Sequence, residues 1–249
     1  MAKTWGGGDN FYIDGVDISG DTQALSQIGG GVAPWDVTGI DKSGMERIGL
    51  LRDGRMQFTT FFNKAAGQAF PTLKNPSATA STQLSYFRGT TLGNQAASLI
   101  ARRVNYDPTR AADGSLTFTV DAQGDAGASG TAGNGLEWGQ MLTAGKKTDT
   151  TATNGTSLDY GSASTAFGWA AYLHVFSFTG TSVTVTVQDS ADNSSFTALT
   201  GGAFTAATGA TQQRLQSAAG ATVRRYVRAI TTGTFSNAVF AVNFVRYLS

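Results

Sequence analysis

The stretch Trp169–Gln188, WAAYLHVFSFTGTSVTVTVQ, decides the fold. Its first part, Trp169–Phe178, is apolar and aromatic, the composition of a strand buried on both faces. Gly180 reads as a break. Beyond it, Ser182–Gln188 places Val183, Val185 and Val187 on one face and threonines on the other. That period of two belongs to a strand. Working outward, Arg225–Thr231 (RYVRAIT) and Ala238–Tyr247 (AVFAVNFVRY) read as two more strands, split by Thr232-Gly233. Turn signals recur often enough to predict an antiparallel β-sandwich of jelly-roll or Ig-like type. Between these strands, Gln188–Leu199 (QDSADNSSFTAL) predicts a strand ending at Asp189-Ser190. A tight turn over Ala191–Ser194 follows, and Phe196 and Leu199 return to the core. Asp and Asn close such turns by accepting backbone N–H groups two residues on, and that role outweighs metal binding here.

Upstream, the pattern is also β. Arg55–Phe62 (RMQFTTFF) follows the turn Asp53-Gly54, and Gln83–Arg88 (QLSYFR) ends at Gly89. Ala97–Tyr106 fits a helical face as well as a strand; its bounding turns, Gly93-Asn94 and Asp107-Pro108, favour a strand. Leu116–Asp121 (LTFTVD) alternates after Asp113-Gly114 and is expected to pair with Ala97–Tyr106 as a hairpin. In these strands Met56, Phe58, Leu116, Phe118 and Val120 should face the core, and the Thr and Gln positions a channel or solvent. One helix is expected over Lys64–Leu73, with Asn63 as N-cap and Pro71 as its end. The Gly-rich stretch Asp121–Gly135 and the polar Thr143–Ser164 flank an apolar Leu136–Leu142, so a domain boundary is placed near residue 145. The expected domains are 1–145 and 146–249. The fold class is all-β with one short helix.

Composition narrows the chemistry. The 249 residues contain no cysteine, which excludes disulfides, thiolate catalysis and cysteine-based zinc sites. Charged residues make up 14%, against about 25% in an average soluble domain. Few charges suit a surface largely covered by neighbours. Residues 1–149 carry 13 Lys/Arg against 14 Asp/Glu, and residues 150–249 carry 5 against 3. Neither half presents the clustered positive charge of a nucleic-acid binder. No apolar run is long enough to span a membrane, and the N-terminal residues lack a signal-peptide core, so synthesis in the cytoplasm is expected.

Catalytic patterns are missing. The only histidine, His174, sits inside the apolar WAAYLHVFSF and reads as a core residue. There is no GxSxG, HExxH or P-loop. Gly6–Gly8 and Gly29–Gly31 read as flexible arms or turns. Eight acidic residues lie within the first 53, against four basic ones. Asp14-Gly15-Val16-Asp17 lacks the ligand spacing of a calcium loop, so this acidity reads as solvated surface, or as a wall past which DNA slides without being held. No catalytic residue, cofactor or metal is expected.

Three segments carry a family resemblance: FYIDGVDISGDTQAL, WDVTGIDKSGMERIGLLRDGRMQFTTFFN and ADGSLTFTVDAQGDAG. Together they resemble tailed-bacteriophage major tail proteins over roughly residues 10–130. Asp17-Ile18-Ser19, Val37–Ile40, Arg47–Leu51 and Asp53-Gly54 occupy the places of that family's motifs. The resemblance implies a tail-tube-type β-sandwich or barrel. Sheets of about six subunits close into a ring around a lumen, and rings stack into a tube that conducts DNA. It also implies as partners further copies of the chain, the terminator, tape-measure and distal tail proteins, and passing DNA that is not specifically bound. Trp5, Phe11, Trp35, Asp36, Arg47 and Arg88 are the candidate ring or inter-ring contacts. Val185–Leu199 and Tyr226-Val227-Arg228 are similar to galactose-binding-like, discoidin-like and Ig-like domains of phage structural proteins. On that side Asp189, Asp192, Asn193 and Trp169 are the candidate loop surface; the resemblance implies host surface glycans as a partner of this domain, and no sugar site is assigned to particular residues. The alternative reading is a carbohydrate-binding or adhesin-type decoration protein.

Overall fold

The computed structural model describes residues 6–77, 79–126, 135–161 and 163–248. In chain order its first strands are β1 (Asn10–Ile13), β2 (Val16–Asp17), β3 (Thr22–Asp36) and β4 (Arg47–Phe61). Helix α1 (Ala69–Leu73) follows, then β5 (Thr82–Phe87), β6 (Gln95–Arg103), β7 (Asp107–Arg110) and β8 (Leu116–Gly124). Next come β9 (Glu137–Met141), β10 (Lys147–Asp149), β11 (Thr153–Asn154) and β12 (Leu158–Asp159). The last are β13 (Trp169–Ser190), β14 (Thr197–Ala203), β15 (Thr211–Gln216) and β16 (Tyr226–Arg246). The protein is all-β and antiparallel, with one short helix among the described residues, as expected.

The decisive stretch forms β13, but Gly180 does not end it. β13 pairs with β16 from Trp169↔Arg246 to Ser190↔Tyr226, and the expected break at Thr232-Gly233 is also strand. The register slips around Gly180. Gly180 and Gly233 have φ of 149° and 120°, and a Cβ on Gly180 would lie 2.4 Å from Phe235 Cα. Glycine thus lets the ribbon bend at a bulge without losing its pairing. The first half of β13 takes β15 as its second neighbour, and the second half takes β14. Leu173 and Val175 from one half, and Val183, Val185 and Val187 from the other, share one core with Phe240, Val242 and Phe244. Each such fully buried side chain contributes roughly 1.5–3 kcal/mol relative to exposure.

The N-terminal residues build a second core, in which Phe11, Ile13, Met56, Phe58, Leu84, Leu99 and Val120 are buried. Met56, Phe58, Phe118 and Val120 point inward as read from the sequence, with Leu116 half-buried. Arg55, Gln57, Thr59, Thr117 and Thr119 alternate onto the half-exposed outer face; Thr60, also expected there, is fully buried because it falls on the Met56 and Phe58 side of β4. Strand β9 joins the two halves of the sheet: it pairs with β6 on one side and with β16 on the other.

Several local expectations need correction. β6 and β8 meet only at Ala101↔Gly124 to Arg103↔Ala122. The tight hairpin is β7–β8, closing at Arg110↔Leu116; β7 has no second neighbour among the described residues, which tolerates the missing N–H of Pro108. The helix spans only Ala69–Leu73, with Pro71 inside its first turn, where no intrahelical donor is required. Asn63 does not cap it. Its Oδ1 accepts the Ala65 N–H at 3.1 Å, and its amide donates to Asp21. Asp21 Oδ2 accepts the Ala69 N–H at 2.9 Å, so the capping carboxylate comes from 48 residues upstream. Gly29–Gly31 are strand, not a free arm, because Gly30 packs where a Cβ would meet Asp53 O at 2.5 Å. Of the Gly-rich stretch, Asp121–Gly124 extend β8; residues 127–134 lie outside the described residues.

Candidate functional site

Strands β3 and β4 pair from Thr22↔Thr60 to Asp36↔Arg47. The lower part of β4 has β8 as its other neighbour, over Arg55–Phe61. Above that point the two strands form a ribbon with no third strand among the described residues. Val32–Asp36, Arg47–Arg52 and most of the connection between them are exposed. The ribbon is apolar nonetheless: Trp35 is 56% exposed, Ile40 110%, Met45 63% and Leu51 85%. Two-stranded ribbons are marginal in water, and clustered exposed apolar side chains mark contact surfaces.

The tip of this arm is locally ordered. Asp36 Oδ1 accepts the Thr38 N–H at 3.0 Å and its hydroxyl at 2.6 Å. Those bonds hold the Asp36 carboxyl below its ordinary range. The Glu46 N–H donates to Thr38 Oγ1 at 2.8 Å, and Lys42 pairs with Glu46 at 3.4 Å. The outer edge of β3 is unpaired among the described residues, and an open edge is a template for another strand.

On the lower sheet, two basic residues are matched by acids. Arg55 binds Asp121 through Nε and Nη2, and Arg102 binds Asp125 at 3.0 Å. The Arg55 contact lowers the Asp121 pKa. Because Arg55 and Arg102 both stand opposite Gln123, they share one face with Gln57 and Thr59 of β4 and Thr117 and Thr119 of β8. That face is polar without a surplus of positive charge.

The structure separates the candidate contacts. Trp35, Asp36 and Arg47 come together on the arm, and Arg88 is exposed elsewhere. Phe11 is 2% exposed and meets the Phe58 ring edge-on at 4.8 Å, so it is core and not a contact. Trp5 lies outside the described residues. In the C-terminal group only Asp192 and Asn193 are exposed. Asp192 accepts the Ser194 and Ser195 N–H groups at 2.9 and 2.8 Å, and Asn193 takes φ 60°, the turn read from the sequence. Asp189 is buried and binds the Arg224 N–H and guanidinium; Trp169 is buried and stacked on Phe244 at 5.8 Å. Neither belongs to a loop surface, since both side chains are used inside the sandwich. Phe196 is covered by the Arg228 guanidinium, 4.0 Å from the ring centre.

Sequence reasoning missed the arm as a projecting unit. Its signal was present in WDVTGIDKSGMERIGLL, where apolar residues recur among charges without enough neighbouring strand to cover them. His174 is fully buried, as read. No group of three or more His, Cys, Asp or Glu among the described residues is placed to hold a metal, and no described helix is long and apolar enough to cross a membrane.

No protein-family model matches this chain, and no curated protein matches it. Among solved structures, it is similar to the Dit protein of SPP1, described as a hub of the adsorption apparatus in phages infecting Gram-positive bacteria. The match covers 96% of this chain and 99% of that one, at 10% identity and a TM-score of 0.32. The likeness is distant.

Proposed function

We propose that this chain is a non-catalytic structural protomer of a bacteriophage tail. It forms rings of about six copies that stack into the tail tube and let DNA pass through the lumen. The observation that carries this reading is the β3–β4 arm, whose Trp35, Ile40, Met45 and Leu51 are left exposed by the described residues. Identical neighbours supply that cover in a ring and also pair the open edge of β3, which removes an aggregation hazard. The balanced polar face of β4 and β8 suits a lumen, because unpaired cations would hold DNA through counterion release. On this reading the protein is assembled in the host cytoplasm and resides in the virion. Its partners are its own copies, the terminator, tape-measure and distal tail proteins, and DNA in passage. The test is negative-stain microscopy of the concentrated full chain, with light scattering. Rings or tubes of uniform diameter are expected; a monomer at every concentration overturns the reading.

A further inference from the structure

The two halves of the sheet meet at a buried polar seam that sequence reasoning left as ordinary core. His174, fully buried on β13, stands at its centre. Its Nδ1 accepts the Gly15 N–H at 3.2 Å, from the turn between β1 and β2. With Nδ1 accepting, the ring proton is assigned to Nε2, which donates to Ser85 Oγ at 2.9 Å and also faces the Gln83 amide nitrogen at 3.1 Å, a donor that this tautomer leaves without an acceptor on the ring. Ser85 bonds Ser98 at 2.8 Å, and the Asn243 amide of β16 donates to Ser98 Oγ at 2.9 Å. The Gln83 amide crosses the seam to Leu173 O at 3.0 Å. Tyr12 and Phe176 wall the imidazole, and Gln212 and Ala241 stand opposite it on β15 and β16. We propose that this seam is an acid-sensitive latch: neutral His174 holds the β1–β2 turn against β13, and uptake of one proton by the imidazole releases it.

The chemistry has one direction. A proton on Nδ1 would set that N–H against the Gly15 N–H, turning an accepted bond into a clash of donors. The imidazolium would also be buried without a carboxylate bound to it, a costly state. Charged groups on the surrounding elements are engaged elsewhere. Asp14 accepts the Gln83 N–H, Asp17 holds Ser19 and Lys146, and Arg214 of β15 holds Glu137 of β9. Arg102 and Arg103 of β6 bind Asp125 and Thr72 O, and Arg246 of β16 binds Thr165. At the seam itself β5, β6 and β16 present the uncharged Gln83, Ser85, Ser98 and Asn243. Gln83 Oε1 and Asn243 Oδ1 are buried without a hydrogen-bond partner, so the closed seam is not fully satisfied even when neutral.

Burial pushes the His174 pKa down to about 3 in the closed form, against about 6.5 when released. A depressed histidine stabilises the closed form fully above pH ~6.5, and closure weakens about tenfold per pH unit below that, until the folded value is reached.

The experiment is amide hydrogen exchange of the full chain between pH 7 and 4.5, corrected for intrinsic rates. Protection of the Gly15 amide is expected to fall about a hundredfold over that range, and in His174→Gln to stay flat. A pH-independent Gly15 amide in the wild type, or the same slope in the variant, overturns the proposal. Should the variant not fold, 15N-labelled histidine provides a single resonance pair in the wild type, because the chain has only one histidine. A neutral Nε2–H ring in the folded protein at pH 5 supports the latch, and a ring titrating near pH 6.5 in the folded protein overturns it.

Discussion

Glu137 of β9 and Arg214 of β15 form an ion pair of 2.7 Å in which both side chains are 2% exposed. The hydroxyls of Tyr172 and Tyr247 donate to the same carboxylate, and Arg214 Nε donates to the Tyr172 hydroxyl oxygen at 2.9 Å. Burial, together with the Glu137 charge, pushes the Tyr172 hydroxyl well above its ordinary pKa. A pair this dry gains little over an apolar replacement, but removing one partner strands a buried charge. Arg214→Met is therefore expected to cost about 3–5 kcal/mol, read as a lower urea midpoint. Because three side chains share the Glu137 carboxylate, adding Glu137→Gln should cost less than the sum of the single changes. Strict additivity would show that the cluster does not act as a unit.

Gly180 and Gly233 let the β13–β16 ribbon bend. A Cβ on Gly233 would lie 2.3 Å from Ser182 O, in a backbone conformation that other residues rarely adopt. Gly233→Ala or Gly180→Ala is expected to lose at least about 1–3 kcal/mol from backbone strain alone. Gly209→Ala, with open space around its Cβ, serves as the control and should stay within about 0.5 kcal/mol. Thermal unfolding by circular dichroism compares the three. Equal Tm values would mean that the bend does not depend on glycine.

Period-two patterns made most of the fold legible, because alternation at Val183–Val187 or Met56–Phe58 reports the buried face directly. What stayed hidden needed distant partners. Nothing near Lys64–Leu73 shows that Asp21 caps α1, and nothing near Gly180 shows that Phe235 approaches it closely enough to require glycine. Phe11, expected at a ring contact, and Trp169, expected on a loop surface, are both core, because large aromatics that suit an interface are equally good core fillers. The arm was visible as a motif, yet its exposure depends on where β8 stops, and β8 covers β4 only over Arg55–Phe61.

Acid should weaken the fold in two windows with separate causes. His174, lowered by burial, removes stability as pH falls from about 6.5 toward about 3. Asp17 acts later. Burial pushes its pKa up, but bonds from Lys146 and Ser19 outweigh this and leave it below the ordinary value. A depressed carboxylate stabilises above its unfolded pKa and loses that contribution as pH falls through the folded one. Asp17→Asn is thus expected to lower Tm at neutral pH and to flatten the Tm curve only below pH ~4. A flattened slope between pH 6 and 5 in this variant would assign the upper window to Asp17 instead of His174.

The arm separates folding from assembly. Ile40 and Leu51 touch solvent along most of their surface, so replacing them removes little that holds the monomer together. The double change Ile40→Asp and Leu51→Asp should shift the urea midpoint by no more than about 0.5 kcal/mol of stability. In an assembled ring the same carboxylates would have to be desolvated against a neighbour's apolar surface, which is costly. The variant is accordingly expected to remain folded and monomeric where the wild type assembles, by light scattering and microscopy. Trp35, half-exposed in the isolated chain, gives an independent signal: its emission should shift to the blue on assembly of the wild type and not of the variant. Assembly by the charged variant at wild-type concentration would move the ring contact away from the arm and leave the open edge of β3 to account for it.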